Sequence, residues 1–523
     1  MANQQLFNTQ PHATPSPALT HNEAGGIAYS LSAKQQLAQL AATACFGQTY
    51  YADGKTELAK TLQLCKQVDT DFIAKAAIYS AHKAQMKDIP ALLLAVLASR
   101  DSTHFAQVFA HIITNGKMLR NFVQIMRSGV TGRKSLGTLP KKLIQQWLNN
   151  ASEKQLLNAA IGNKPSLADI IKMVHPKALE DWRSAWFAWI IDKNIDIQTL
   201  PATTRAFEEF KKNSVGELPD VPFFMLTSLE LSNQQWQDLA LKMSWSQLRQ
   251  GLNMLARHQV FEQSDTTHLL AQRLASQVEV HKAQVMPYQL LATYRAMDDK
   301  TPDIIRAAIE QAMEHAIANV PTLDAKIAVC PDVSGSMSSA ITGYRGSATS
   351  RIRCVDVAGL IASALLRKNP HARMIPFDIH VRDIDFNAND NILHNSEKFA
   401  EICGGGTTVS APLIQLNEEK ALVDMVIIIS DNQSWADIAR NKTRTALMHE
   451  WAILKKRCPH AKLVCLDIQP YGHSPAHNRK DILNIGGFSD AVFETIASFL
   501  QQDHNDNDYW VHQIEKIESP SKH

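Results

Sequence analysis

The chain has 523 residues, 45% hydrophobic and 20% charged, with a formal net charge of +2. That length exceeds one ordinary domain and the composition is that of a folded protein, so two or more cores are expected. No run of about 18 or more apolar residues occurs, which excludes a helical membrane span. The 7 cysteines lack metal-type spacing and a paired framework, which points to reduced thiols and a cytoplasmic protein.

The opening stretch, MANQQLFNTQPHATPSPALTHNEAGG, is polar and rich in Pro and Thr. It lacks the basic start and apolar centre of a secretion signal. Residues 1–20 read as a flexible tail. Residues 21–321 then read as helix after helix, with no strand-like runs. DIPALLLAVLASRD is apolar nearly all round, as a central buried helix should be. MPYQLLATYRAM places Leu290, Tyr294 and Met297 on one stripe. TPDIIRAAIEQAMEHAIANV has Thr301 at the N-cap, Pro302 at the first helical position, and Ile305, Ile309, Met313 and Ile317 along one face. Successive helices with short polar joins predict stacked helix pairs without a clean sequence period.

One window of this helical part stands out. Residues 111–150 carry Lys117, Arg120, Arg127, Arg133, Lys134, Lys141 and Lys142 and contain no Asp or Glu. Seven cations without a counter-charge make a local positive field, for which phosphate is the natural partner. A solvated helix face would carry the same charges; the missing acids and the glycine-bearing loop SGVTGRKSLGTLP favour binding. Net charge is +5 over residues 1–322 (32 Lys+Arg against 27 Asp+Glu) and −3 beyond (21 against 24), so only this local concentration matters. In SLADIIKMVHPKA, Ser166 is a good N-cap. Its His175, on the residues alone, is an ordinary histidine.

Near residue 322 the pattern changes. AKIAVCPDVS is a short β-branched run ending in a turn, VDVAGLIASALLRKN reads as a helix, and ARMIPFD, ALVDMVIIISDN, TRTALMHEWAILKKR and AKLVCLDIQ continue the alternation. Strands alternating with helices imply a mostly parallel sheet covered on both faces, and MVIIIS fits a central strand. In such sheets ligands bind beyond the carboxyl ends of the strands. There the chain offers Asp332, Ser334 and Ser336 as D-x-S-x-S, Thr407 and Thr408 in the loop CGGGTTVSAPL, and Asp431 past MVIIIS. Carboxylates and hydroxyls without a soft ligand are hard-oxygen donors, suited to Mg²⁺ or Mn²⁺. The same Asp and Ser residues could instead cap a helix without an ion. G-G-G-T-T lacks the Lys of a P-loop, and no His or Glu is placed to activate a water, so binding is favoured over catalysis.

This order of strand, D-x-S-x-S, Thr loop and Asp resembles the von Willebrand factor A fold and its metal-ion-dependent adhesion site (MIDAS). The resemblance makes Asp332, Ser334, Ser336, Thr407 and Asp431 the five ligand positions. The helical part resembles a TROVE module, the RNA-binding domain of the Ro autoantigen family. Five stretches carry that likeness in order: NEAGGIAYSLSAKQQLAQLAATACFGQTYYADG, SGVTGRKSLGTLPKKLIQQWL, SLADIIKMVHPKA, LNMLARHQVFE and QVMPYQLLATYRAM. It implies a ring of HEAT-like helical repeats whose ends the A-type domain bridges. It also implies binding of small noncoding Y RNAs on an outer basic surface, and of single-stranded 3′ ends of misfolded RNA through the hole. Bacterial relatives work with an exoribonuclease in RNA maturation or surveillance.

By position, Arg133, Lys141, Lys142 and His175 become RNA-contact residues, and Lys117, Arg120, Arg127 and Lys134 join them on charge. In LLNAAIGNKP relatives carry more basic residues, and here Lys164 is the lone cation. The loop between Arg133 and Lys141 is longer than in many relatives, and Thr408 stands where animal members have Asp.

The expected organisation is therefore a tail at 1–20, a helical-repeat RNA-binding domain at 21–321, an A-type domain with a metal site at 322–505, and a tail at 506–523. The expected function is non-catalytic, cytoplasmic binding of Y-like RNA and of 3′ ends in RNA quality control or maturation. Mg²⁺ or Mn²⁺ would be the cofactor and an exoribonuclease a partner, with no DNA specificity, no membrane and a monomeric state. The alternative is a metal-dependent protein-interaction scaffold with no nucleic-acid ligand.

Overall fold

Side chains that cap helix starts set much of the N-terminal architecture. Ser152, Ser166, Ser232 and Ser244 each accept from the backbone N–H three residues on. Gln155, Asp169, Gln235 and Gln247 reach back to the cap's own N–H, a reciprocal pairing that satisfies two otherwise orphaned donors. The computed structural model describes residues 19–22, 27–43, 54–84, 86–285, 287–341, 352–431, 445–469, 473–477, 479–487, 491–501 and 509–518.

Two short strands come first, β1 (Leu19–His21) and β2 (Ile27–Ser30). The helices of the first half are α1 (Ala33–Thr43), α2 (Gly54–Gln67), α3 (Thr70–His82), α4 (Asp88–Arg100), α5 (Ser102–Ile112), α6 (Gly116–Ser128), α7 (Thr138–Asn150), α8 (Glu153–Ala160), α9 (Leu167–Val174), α10 (Asp181–Ile190) and α11 (Ala202–Lys211). After them come α12 (Phe223–Leu226), α13 (Asn233–Lys242), α14 (Trp245–Arg257), α15 (Ser264–Ala275), α16 (Gln277–Ala283), α17 (Pro287–Ala296) and α18 (Asp303–Ala316). Each packs mainly on helices one to three along: α3 on α4 and α5, α4 on α6, α5 on α7, α7 on α9, α15 on α18. This is the nearest-neighbour stacking of a helical repeat. The apolar patterns behave as the sequence predicts: Ile89 through Leu97 of α4 are buried on every side, and Ile305, Ile309, Met313 and Ile317 of the α18 stripe are all buried.

Beyond residue 320 come β3 (Ile327–Pro331), α19 (Cys354–Lys368), β4 (Arg373–Met374), α20 (Ile392–Glu401), α21 (Ala411–Glu418), β5 (Met425–Ser430), α22 (Ala446–Arg457), β6 (Lys462–Asp467), β7 (His473–Ser474), β8 (Ile482–Gly486), α23 (Ala491–Gln501) and α24 (Tyr509–Glu515). Five strands form one sheet in the order β4-β3-β5-β6-β8, every pair parallel. All six residues of β5 are buried, because alternate side chains enter cores on opposite faces. Met425, Ile427 and Ile429 pack with α19, and Val426 and Ile428 with Leu413, Trp451 and Leu454 of α21 and α22.

The helical path starts and ends on this domain. α1 and α3 pack on α24, α1 also meets β8, and α17 and α18 pack on α19 and α20. At the first seam β2 pairs antiparallel with β7, Tyr29 opposite Ser474, and Lys34 pairs with Glu515. At the second, Arg367 pairs with Glu314 at 2.8 Å and Arg295 with Glu397 at 3.1 Å. Leu37, Ile73, Ile309, Val355, Ile427 and Ile514 belong to one continuous buried cluster, so apolar burial is the main cement of both seams.

Three expectations need correction. Strands do occur before residue 320: Leu19 and Thr20, expected in a tail, pair with Tyr29 and Ala28. That hairpin gains its third strand only from β7, far along the chain. Residues 509–515, also expected in a tail, form α24, which buries Trp510, Val511 and Ile514. Finally, α18 begins at Asp303 with Pro302 at its N-cap and Thr301 buried before it. The Pro302 carbonyl accepts from Arg306 at 3.2 Å, so a residue without an N–H still opens the ladder. Residues 1–18, 23–26 and 44–53, which include parts of the first tail and of the NEAGG…YYADG stretch, lie outside the described residues.

Candidate functional site

At the carboxyl end of β3 the chain turns through Asp332 and Ser334 into a short 3-10 turn, Gly335–Ser338. The Asp332 N–H donates to the Ile429 carbonyl of β5 at 2.8 Å, which sets it beside the end of that strand. The Ser334 N–H donates to Asp332 Oδ1 at 2.8 Å, Ser430 Oγ donates to Asp332 Oδ2 at 2.5 Å, and Ser334 Oγ lies 3.3 Å from Ser336 Oγ. The Gly-rich loop docks on this turn: Gly335 N–H donates to Gly405 O at 3.0 Å and Gly404 N–H to Val333 O at 2.8 Å. Close approach explains the glycines, since a Cβ on Gly335 would sit 3.1 Å from Gly405 O. Thr407 follows two residues later and Asp431 directly follows β5; Asp332, Ser334, Ser336, Thr407 and Asp431 are all buried.

Burial pushes the Asp332 carboxyl well above the usual carboxylate range, and the neighbouring Asp431 charge pushes in the same direction. A desolvated carboxylate beside a second negative charge suits a hard cation. Among the described residues no Lys or Arg pairs with Asp332. The residues present therefore fit a divalent ion held by two carboxylates and hydroxyls. Sequence reasoning missed two neighbours. Ser430 precedes Asp431 at the strand end. Asp378, buried and ion-paired with Arg382, ends the ARMIPFD run and would lie 2.9 Å from a Cβ on Gly405. Their position at the carboxyl edge was the available signal. Thr408 donates its N–H to Asp378 O at 2.9 Å.

The predicted cations divide into three situations. Lys117, Arg127, Lys134, Lys141, Lys142, Lys164 and His175 are exposed. Arg120 is half-buried and donates Nη1 to Ala159 O at 2.5 Å, beside Gly162; burial draws its pKa below the ordinary value. Arg133 is committed to its own loop. Its Nε donates to Ser135 O at 3.1 Å, Nη1 to Ala98 O at 3.3 Å and Nη2 to Leu136 O at 2.7 Å. Gly137, at φ 78, leaves room for that fork. Arg133 is thus a loop anchor whose charge adds to the field, rather than a free bidentate donor.

Lys141 and Lys142 stand near the start of α7. One turn on, Gln145 Nε2 donates to Val174 O at 2.5 Å, and Asn149 Nδ2 donates to Lys177 O at 2.8 Å. These bonds bring His175, the left-handed C-cap of α9 at φ 50, to the flank of α7 that carries Lys141. Exposed Lys172 and Lys177 join the same surface and were not singled out from sequence. Lys117 and Arg127 lie toward opposite ends of α6, about 15 Å apart along its axis. None of the nine residues pairs with a carboxylate among the described residues. Other cations of the helical part do: Arg183 with Glu180, Lys211 with Glu208 and Arg273 with Glu279.

Residues 326–500 match the family model described as the Ro60 vWA domain. The RNA-binding protein RO60 of Deinococcus radiodurans is 22% identical over 539 aligned positions, which cover 92% of this chain and 95% of that protein. The RNA-binding protein RO60 of Caenorhabditis elegans is 24% identical over 248 positions, 44% of this chain and 36% of that one. The crystal structure of the Deinococcus radiodurans RO (RSR) protein superposes with a TM-score of 0.61 at 17% identity, covering 90% of this chain and 100% of that one. The resemblance to Ro proteins therefore runs along nearly the whole chain, and the fold is theirs: a helical-repeat region followed by a von Willebrand factor A domain.

Proposed function

We propose that this chain is a non-catalytic RNA-binding protein. It takes small noncoding, Y-like RNA on the face built by α6, α7 and α9. It also takes single-stranded 3′ ends of misfolded or structured RNA, in RNA quality control or maturation. The observation that carries the reading is the run of exposed cations along α6, α7, α9 and their joining loops, which contains no Asp or Glu from residue 111 to 150 and in which no cation pairs with a carboxylate among the described residues, in contrast to Arg183, Lys211 and Arg273. Leaving so many like charges uncompensated costs folding energy, and a polyanion repays it. The relatives' own names, which call them RNA-binding proteins, support it.

Within the same reading Asp332, Ser334, Ser336, Thr407 and Asp431 hold Mg²⁺, with Mn²⁺ satisfying the same donors. Bound there, the ion would offer an open coordination position to an anionic group. An exoribonuclease partner, a monomeric state and a cytoplasmic location belong to the same proposal.

Fluorescence anisotropy on an RNA hairpin, with and without a single-stranded 3′ tail, tests it. Tight, salt-sensitive binding with preference for the tailed form is expected, and a duplex DNA of equal length should bind more weakly. Equal affinity for tailed and blunt hairpins would end the 3′-end assignment. No RNA binding, together with capture of a protein partner that chelation abolishes, would leave a metal-dependent scaffold. RNA cleavage by the pure protein, lost in Asp332→Ala, would overturn the non-catalytic assignment.

A further inference from the structure

Between α14 and α17, lined by Arg249 and Gln250 and by residues of the LNMLARHQVFE and QVMPYQLLATYRAM stretches, lies a cleft of about 200 Å³. Its lining includes Arg249, Gln250, Asn253, Ala292, Thr293 and Met297. Arg249 is half-buried. Its Nη1 donates to Gln289 O at 3.1 Å and to Thr293 Oγ1 at 2.5 Å. The Thr293 hydroxyl is oriented by donating to Gln289 O at 3.0 Å. These bonds use one nitrogen of the fork. Nε is buried and has no hydrogen-bond partner.

No carboxylate answers this charge among the described residues. Tyr288 is the neighbour that acts on it electrostatically, and a tyrosine is neutral at pH 7. Burial draws Arg249 below its ordinary pKa, the mark of a desolvated and uncompensated cation. Asn253 fixes the width of the cleft. Its Nδ2 donates to Ala296 O at 2.7 Å and its Oδ1 accepts from Asp298 N at 3.2 Å, tying α14 to the end of α17. The cleft is thus a held shape, with a guanidinium on one side and Ala292 and Met297 on the other.

A half-buried guanidinium without a counter-charge is costly unless an anion meets it. The fork geometry of Arg suits phosphate oxygens. The volume is below the roughly 300–1,000 Å³ of drug-sized pockets, so it suits one phosphate with part of the attached sugar or base. We propose that this cleft is a phosphate subsite, in which Arg249 holds one phosphate group of a nucleotide and Ala292 and Met297 form the apolar wall beside it. Two sources carry that chemistry, a strand of RNA and a free mononucleotide. The strand source rests on the RNA-binding reading above; the phosphate chemistry does not.

The test uses the full chain and two probes: radiolabelled AMP in equilibrium dialysis, and a labelled five-nucleotide single-stranded RNA in anisotropy. Arg249→Gln removes the charge. Gln250→Glu places an anion at the exposed rim, and Ala292→Leu fills the cleft; both spare the Arg249 bonds, and thermal melting checks their fold. Wild type is expected to bind AMP, and each variant to weaken it by about tenfold or more. Parallel weakening of the RNA probe identifies a strand phosphate; an unchanged RNA affinity identifies free nucleotide. AMP bound at the cleft by a protein that binds no RNA would refute the RNA reading and leave the subsite standing. No AMP binding by wild type, or AMP binding indifferent to Gln250→Glu and Ala292→Leu, overturns the subsite whatever RNA does.

Discussion

Replacing Lys141 and Lys142 together with Gln probes the basic face through its salt dependence. Six Lys and Arg side chains of the face are exposed: Lys117, Arg127, Lys134, Lys141, Lys142 and Lys164. Each phosphate contact releases condensed counterion, so log affinity falls against log salt with a slope near −0.7 per contact for single strands and about −0.9 for duplex. Six contacts give a slope of about −4 to −5, and affinity falls roughly 300- to 2,000-fold between about 50 and 200 mM salt. The double variant should lose about 1.4 to 1.8 of that slope, so its penalty against wild type shrinks about 7- to 12-fold across the same range. Fold stability should hold or rise slightly, because both lysines stand near the N-terminus of α7, where the helix dipole disfavours cations. Anisotropy on a tailed hairpin at four salt concentrations measures both slopes. Parallel slopes would show that these lysines meet no phosphate and would refute the reasoning.

Arg133→Lys keeps the charge but not the fork, so it should cost about 2 kcal/mol of stability through the lost carbonyl contacts. RNA affinity should fall less than in the Lys141/Lys142 variant; a denaturant midpoint equal to wild type would return Arg133 to the solvent. Mg²⁺ should raise the melting temperature of wild type and leave that of Asp332→Ala unmoved, and a shift common to both would place the ion elsewhere. Ending the chain at residue 505 should destabilise it by roughly 5 kcal/mol, since Trp510, Val511 and Ile514 lose their buried seats; an unchanged urea midpoint would make this segment a tail after all. The Asp101 carboxyl, N-cap of α5, is held down at about 2, mainly by its hydrogen bond with the His104 side chain. A depressed folded pKa stabilises fully above the unfolded value of about 3.9 and is lost as pH falls toward 2. Asp101→Asn keeps an acceptor for the cap, so the melting temperature should drop less between pH 5 and 2.5 than in wild type.

Sequence by itself determined what depends on neighbours within a few residues. The all-round burial of α4, the apolar stripe of α18, the N-cap at Ser166, the fully buried β5 and the D-x-S-x-S turn all rest on local periodicity or local side-chain bonds, and the structure places them as read. Tertiary structure decided what depends on partners far along the chain. Arg133 looked like a free cation until its loop folded back on Ala98 O. The 27–30 segment is a strand because β7, more than 400 residues on, completes its sheet. Residues 509–515 are too short to carry a pattern and fold against α1 and α3. Arg249 sits in an ordinary amphipathic helix, and only the packing of α17 beside it makes a cleft. A stripe or a cap is written in the spacing of adjacent residues. The worth of a charge depends on whether burial removes its water and whether a counter-charge arrives, and both are settled only when distant segments meet.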